Sequence, residues 1–117
     1  MKTKTIYIAG PMRGIPEYNF PAFDAAAKRF RKAGWAVINP PELDRVEGIH
    51  EFTDPLPEGF MRQAMTRDLA AICRCDAIAL LPGWTRSAGC AVEKKLGDLL
   101  GLDYYDAETG CKFSPSR

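Results

Sequence analysis

The chain has 117 residues, of which 46% are hydrophobic, and its 16 basic and 15 acidic residues give a formal net charge of +1. A chain of this length and hydrophobic content is expected to fold as one domain, and it is too apolar for a disordered protein. The balanced charge lacks the basic excess typical of proteins that bind nucleic-acid polymers or anionic membranes, so we expect neither as a partner.

The start of the chain is basic and then apolar, but Gly10-Pro11 interrupts the apolar run. This favours a buried first strand over a signal peptide, and we expect a cytoplasmic protein with reduced cysteines. The four cysteines and the single histidine, His50, lack the spacing of a zinc site. We therefore expect no metal and no cofactor, and cysteines that serve as small buried apolar residues.

Strand-like and helix-like segments alternate along the chain. Apolar and β-branched runs predict four strands, and apolar residues at helical spacing predict three helices between them. In chain order these are a strand at 5–9, a helix at 20–33, a strand at 35–38, a helix at 58–74, a strand at 76–81, a helix at 88–100 and a strand at 102–105. Residues 39–57, which include four prolines, are predicted to form a long functional loop. The domain is expected to span 1–111, with a flexible tail at 112–117.

This alternation predicts an α/β fold. We expect a single-domain, flavodoxin-like or Rossmann-like parallel sheet of four to five strands with helices on both faces. Ligands of such sheets bind beyond the carboxyl ends of the strands. If the first and third strands are neighbours, the segments at 10–14 and 82–93 form the site.

Two loops carry residues suited to an anion. The first has the sequence GPMRG at 10–14, which combines glycines that allow close backbone approach with a guanidinium that fits phosphate. In the second, Ser87 stands at the predicted start of a helix, where backbone N–H groups favour anions. The same residues are compatible with a tight turn and an ordinary helix cap. Glu93 lies two turns into that helix and is followed by two lysines, a pattern more typical of a solvated carboxylate than of a catalytic one.

Three motifs in order resemble the nucleoside 2-deoxyribosyltransferase superfamily. The similarity covers nearly the whole chain and is greatest to a small uncharacterised branch (domain of unknown function 4406) and to the 2′-deoxynucleoside 5′-monophosphate N-glycosidases. The motifs are Tyr7-Ile8-Ala9-Gly10-Pro11-Met12-Arg13-Gly14, then Arg67-Asp68-Leu69 with Cys75-Asp76-Ala77, then Ser87-x-Gly89-x-x-x-Glu93.

The resemblance implies an N-glycosidase with a covalent glycosyl-enzyme, as in retaining glycosidases. Glu93 would be the nucleophile at the deoxyribose C1′, Asp68 would transfer a proton to the leaving base, and Tyr7 would orient the nucleophile. The residues implied in contacts to the substrate and its 5′-phosphate are Gly10, Arg13, Gly14, Ser87 and Gly89. The resemblance also implies a homodimer or higher homo-oligomer.

Ser87 favours a monophosphate over a free nucleoside. In the transferases that use free nucleosides, the matching position holds an aspartate, which would repel a phosphate, whereas a serine at a helix start can donate to one. Two departures stand against this pattern. Pro11 replaces a serine that helps to bind phosphate in the glycosidases. The residue that a neighbouring subunit supplies to related sites has no evident counterpart here.

Two alternatives remain open at this point, both with a small nucleotide or nucleoside as partner. A nucleoside 2-deoxyribosyltransferase would form the same intermediate and pass the sugar to a second base. A non-catalytic nucleotide-binding or sensor module would keep the phosphate contacts and leave Glu93 without a role. Four aromatic residues are candidates for stacking on a base: Tyr18, Phe20, Trp35 and Trp84.

Overall fold

Five strands form one sheet in the computed structural model, which describes residues 2–115. The strands are β1 (Thr5–Ala9), β2 (Ala36–Ile38), β3 (Ala77–Leu80), β4 (Asp103–Asp106) and β5 (Lys112–Phe113). Their spatial order is β2-β1-β3-β4-β5, in which only β5 runs antiparallel to its neighbour. The predicted α/β fold is thus confirmed, and β1 and β3 are neighbours, so that the loops after these two strands lie side by side.

The described residues also form four α-helices. These are α1 (Phe20–Lys32), α2 (Pro40–Val46), α3 (Phe60–Ile72) and α4 (Ala88–Leu100). The prediction of an unstructured loop at 39–57 is wrong for α2. The two prolines of this helix stand at its first positions, where a missing N–H costs nothing and the fixed φ favours a helical turn.

Alternate residues of the central strands face two separate hydrophobic clusters. Ile6 and Ile8 of β1 pack with Phe23 and Phe30 of α1 on one face of the sheet. Tyr7 belongs to the opposite cluster, with residues of α3 and α4. Because side chains alternate along a strand, β1 contributes both to the α1 side of the core and to the α3–α4 side. The tyrosine hydroxyl therefore points into the layer that also contains Glu93.

Lys112 and Phe113 lie in the segment that the sequence predicts to be a tail, and the structure corrects this. They form β5, in register with Tyr105 and Tyr104 of β4. The chain reverses between the two strands because the Asp106 carboxylate accepts hydrogen bonds from two backbone N–H groups of the turn. Residues 116 and 117 lie outside the described part of the chain.

Two of the four cysteines depart from the expectation of burial. Cys75 and Cys90 are buried, whereas Cys73 and Cys111 are exposed. Burial raises the pKa of the Cys90 thiol to about 12. Cys90 is therefore a protonated thiol at neutral pH and a poor nucleophile. No helix within residues 2–115 has the length and apolar character needed to cross a membrane.

Gly97 allows α4 to pack closely on the sheet, so Gly97→Ala should destabilise the fold. A Cβ added there would lie 2.6 Å from the Tyr104 hydroxyl and 2.7 Å from Ile78 Cδ1. We expect a loss of about 1–3 kcal/mol in the free energy of unfolding, measured by urea denaturation. Leu99→Ala, at a side chain 82% exposed on the same helix, is the control. Alanine is the better helix former by about 1 kcal/mol, so a more stable Gly97→Ala variant would contradict the packing account.

Candidate active site

A cavity of about 350 Å³ opens at the carboxyl ends of β1 and β3, where the fold predicts a ligand. Its walls come from the loop after β1, the α2 segment, α3 and the start of α4. Most of the residues predicted from sequence line it: Gly10, Arg13, Asp68, Ser87, Gly89 and Glu93. Two do not. Tyr7 lies behind Glu93 in the core, and Gly14 occupies a turn with φ +75°.

Glu93 is a buried carboxyl and not a solvated helix residue. It is only 6% exposed, and its Oε2 accepts a hydrogen bond of 2.5 Å from the hydroxyl of Tyr7, which is itself 1% exposed. The pKa of Glu93 is raised to about 8, chiefly by burial and also by the nearby charge of Asp68, while the Tyr7 hydrogen bond and the Arg67 charge act in the opposite direction. The contact joins α4 to β1, an interior strand of the sheet, and brings together Tyr7 and Glu93, two of the residues predicted from the sequence.

Asp68 is a second buried acid that faces the same cavity from α3. Burial raises the pKa of its carboxyl, while the Arg67 guanidinium and the Tyr7 hydroxyl lower it. Two carboxyl groups with raised pKa values in one cleft are typical of catalytic sites, although buried ion-pair networks shift pKa values as well. The arrangement can supply an ionised carboxylate and a proton donor to the same ligand.

Arg67 has a larger role than the sequence alone indicates. Its Nε contacts Asp68, its Nη1 contacts Glu47 and its Nη2 contacts Asp44, each at 2.8 Å. Asp44 is 2% exposed, and burial raises the pKa of its carboxyl. Asp44 lies in α2 and Glu47 directly follows this helix, so the segment predicted as a functional loop does reach the site. Asp44 is hard to identify as a site residue from the sequence, because the prolines of α2 obscure the helical pattern of the segment that positions it.

The start of α4 also lines the cavity. Ser87 caps this helix, since its Oγ accepts a hydrogen bond of 3.2 Å from the Cys90 N–H. The N–H groups of the first turn have no carbonyl partner within the helix, which makes this terminus suited to an anion. Arg13 and Arg86, both exposed, line the cavity as well. Arg86 is absent from the sequence-based candidates because it precedes the motif that contains Ser87.

Two glycines that line the cavity, Gly10 after β1 and Gly89 in the first turn of α4, stand where a larger side chain would meet close neighbours. At Gly10 an added Cβ would lie 2.8 Å from Leu81 Cβ, so the loops after β1 and β3 could not approach as closely. At Gly89 it would lie 3.3 Å from the end of Met65, across the cavity. Both glycines therefore help to shape the site, whatever contacts they make to a ligand.

The remaining wall is apolar and could accept a flat ring. Tyr18 and Phe20 line it, whereas Trp35 and Trp84 pack against the two core clusters and do not. Further apolar residues come from the 49–65 segment: Ile49, Leu56, Phe60, Met61 and Met65. Across residues 2–115, no group of three or more His, Cys, Asp or Glu side chains is arranged to hold a metal ion.

The fold and the cavity define a small flavodoxin-like α/β protein with a buried acidic site beside a helix N-terminus. The chain belongs to the family described as Domain of unknown function (DUF4406), whose model matches residues 4–105. The matched span includes every residue that lines the cavity. Among curated proteins, none matches the chain at a significant level.

The buried Glu93 predicts a pH-dependent stability that Glu93→Gln removes. The folded pKa of about 8 lies above the ordinary value of 4.5. The neutral form is therefore favoured by folding, and its contribution is full below pH 4.5 and is lost as the pH rises through 8. The free energy of unfolding of the wild type, measured against Glu93→Gln by urea denaturation, should fall across this range.

Glu108→Gln, at an exposed acid in the turn before β5, is the matched control for this comparison. A difference between wild type and Glu93→Gln that stays flat from pH 4.5 to 8 would show that the Glu93 carboxyl ionises as it does in water.

Proposed function

We propose that this protein is an N-glycosidase that hydrolyses a 2′-deoxynucleoside 5′-monophosphate to the free base and deoxyribose 5-phosphate. The observation that carries the proposal is the buried Glu93 carboxyl, which is hydrogen-bonded by Tyr7 and faces one cavity with Asp68. The resemblance of the motifs to the nucleoside 2-deoxyribosyltransferase superfamily supports it independently. The cytoplasmic location and the homo-oligomeric state expected from the sequence belong to the same proposal.

The lining of the cavity includes groups suited to each part of such a substrate. The side chains of Arg13 and Arg86 and the N–H groups at the start of α4 suit the 5′-phosphate. The acidic part of the cavity, at Glu93 and Asp68, suits the deoxyribose and the glycosidic bond. Its apolar wall suits the base, which carries no charge. The cavity thus offers a lining group suited to each of the three parts of the ligand: the phosphate, the sugar and the base.

In the first step a Glu93 carboxylate oxygen attacks C1′. The bond from C1′ to the base nitrogen breaks, its electron pair goes to the base, and Asp68 donates a proton to the base. A carboxylate suits this attack because the transition state has oxocarbenium character and the product is a covalent glycosyl ester. In the second step water attacks C1′, Asp68 accepts its proton, and Glu93 leaves as a carboxylate.

The reactive form has Glu93 ionised and Asp68 protonated, so the pair holds one proton. The form with Glu93 protonated and Asp68 ionised also holds one proton, and the ratio of the two forms does not depend on pH. The Tyr7 hydrogen bond stabilises the ionised form of Glu93. In this mechanism Tyr7 orients the nucleophile and stabilises its ionised form, and the same hydroxyl also lowers the pKa of Asp68.

Activity is tested by incubating the protein with a panel of deoxynucleosides and their 5′-monophosphates, with and without a second free base. We expect base release from the monophosphates, and a loss of about 1,000-fold or more in Glu93→Gln, since the amide is not a nucleophile. Glu108→Gln is the control. A new nucleoside that appears only with an acceptor base would indicate the transferase instead. Tight nucleotide binding without turnover, unaffected by Glu93→Ala, would indicate a binding module.

The phosphate assignment is tested by Ser87→Asp. Aspartate caps helices as well as serine does, so α4 should keep its start while the phosphate meets a negative charge. We expect kcat/KM for monophosphates to fall at least about 10-fold further than that for nucleosides. Ser87→Ala removes the cap without adding charge and separates the two effects. Equal losses on both substrate types in Ser87→Asp would contradict the assignment.

A further inference from the structure

We propose that Arg67 is a positioning residue of this site, which ties the α2 segment to Asp68 through three carboxylates and so holds one wall of the cavity and the proton donor in place. The effect of Arg67 on kcat rests on the proposed function, whereas its structural role rests on its contacts alone. Arg67 acts through Asp68 and not on the substrate.

All three nitrogens of the guanidinium lie 2.8 Å from a carboxylate oxygen, each of a different residue. Nε and Nη1 donate hydrogen bonds to Asp68 and Glu47, and Nη2 forms an ion pair with the buried Asp44. The guanidinium is planar and its N–H groups point in fixed directions, so it can fix the relative positions of its partners. A lysine ammonium carries the same charge but lacks this fork.

Burial makes the cluster sensitive to the loss of Arg67. The side chains of Arg67, Asp68 and Asp44 are 20%, 12% and 2% exposed. Removing the single cation would leave buried carboxylates without compensation, which is far more costly than losing a surface ion pair. The α2 segment packs on α1 and reaches α3 through Arg67. Loss of Arg67 would therefore release the α2 side of the cavity from the helix that carries Asp68.

The charged and titratable groups around Asp68 shift its pKa in opposite directions. Arg67 faces it from α3, Asp44 and Glu47 from the α2 segment, Tyr7 from β1 and Glu93 from α4. Arg67 lowers the pKa values of Asp68 and Glu93, whereas Glu47 raises that of Asp68. Substitutions at Arg67 and Glu47 should therefore shift the Asp68 titration in opposite directions.

The test is carboxyl NMR titration of the full chain, labelled at its Asp and Glu side chains, together with pH profiles of kcat and KM on a 5′-monophosphate. Arg67→Met should raise the titration midpoints of Asp68 and Glu93 by about 1 pH unit or more. It should also lower kcat by about 10- to 100-fold. Arg67→Lys should return the two midpoints most of the way to their wild-type values but should recover less of kcat. The reason is that lysine supplies the positive charge without the planar set of N–H donors. Glu47→Gln should lower the Asp68 midpoint.

Arg62→Met, at an exposed arginine on the same helix, is the control and should change neither measurement. Unchanged midpoints in Arg67→Met and Glu47→Gln would overturn the proposal, as would equal shifts in Arg62→Met. If Arg67→Met does not fold, Arg67→Lys and Glu47→Gln carry the test. Absence of base release by the wild type would count against the proposed function alone, since the titrations need no turnover.

Discussion

A carboxyl group withdrawn from water needs a hydrogen-bond donor, and Glu93 finds it in the hydroxyl of Tyr7. The contact joins β1, an interior strand of the sheet, to α4. The pleat of β1 turns Tyr7 toward α4, while its neighbours Ile6 and Ile8 face α1. The position of the acid thus follows from the register of one strand, and the cavity forms above this contact. The same buried position raises the pKa of Glu93, because burial is the largest cause of that shift.

The lining of the cavity carries both signs of charge. Arg13, Arg86 and the start of α4 contribute positive groups, and Glu93 and Asp68 contribute carboxyl groups. The net charge of +1 gives no sign of these local charges, because the electric field in a cavity depends on where the charged groups lie and not on their sum. The arrangement suits a ligand with an anionic group at one end and a bond to be protonated in its interior. Arg67 links this acidic region to α2, so the cavity wall and the acid share one support.

Much of the fold is predictable from the sequence because the pattern is local. The β-branched and apolar runs, the helical spacing and the glycine stops locate four strands and three helices to within a few residues: β1, α1, β2, α3, β3, α4 and β4. The adjacency of β1 and β3 follows from the topology rules of parallel sheets. The rest depends on contacts distant in sequence. Lys94 stands beside Lys95 in a pattern typical of a solvated helix face, yet it is buried, with its ammonium 5.6 Å from the centre of the Tyr104 ring on β4. The burial of Glu93 and the contacts of Arg67 likewise arise only when the helices pack on the sheet. The helix α2 is hard to predict because its first two residues are prolines.

The central claim is that Glu93 forms a covalent bond to the sugar, and the most direct test is mass spectrometry of acid-quenched protein during turnover of a 2′-deoxynucleoside 5′-monophosphate. The account predicts a transient adduct of deoxyribose 5-phosphate on the peptide that contains Glu93, with the free base released in equal amount. An adduct on another residue would contradict it. Base release that continues at the wild-type rate in Glu93→Gln would contradict it as well.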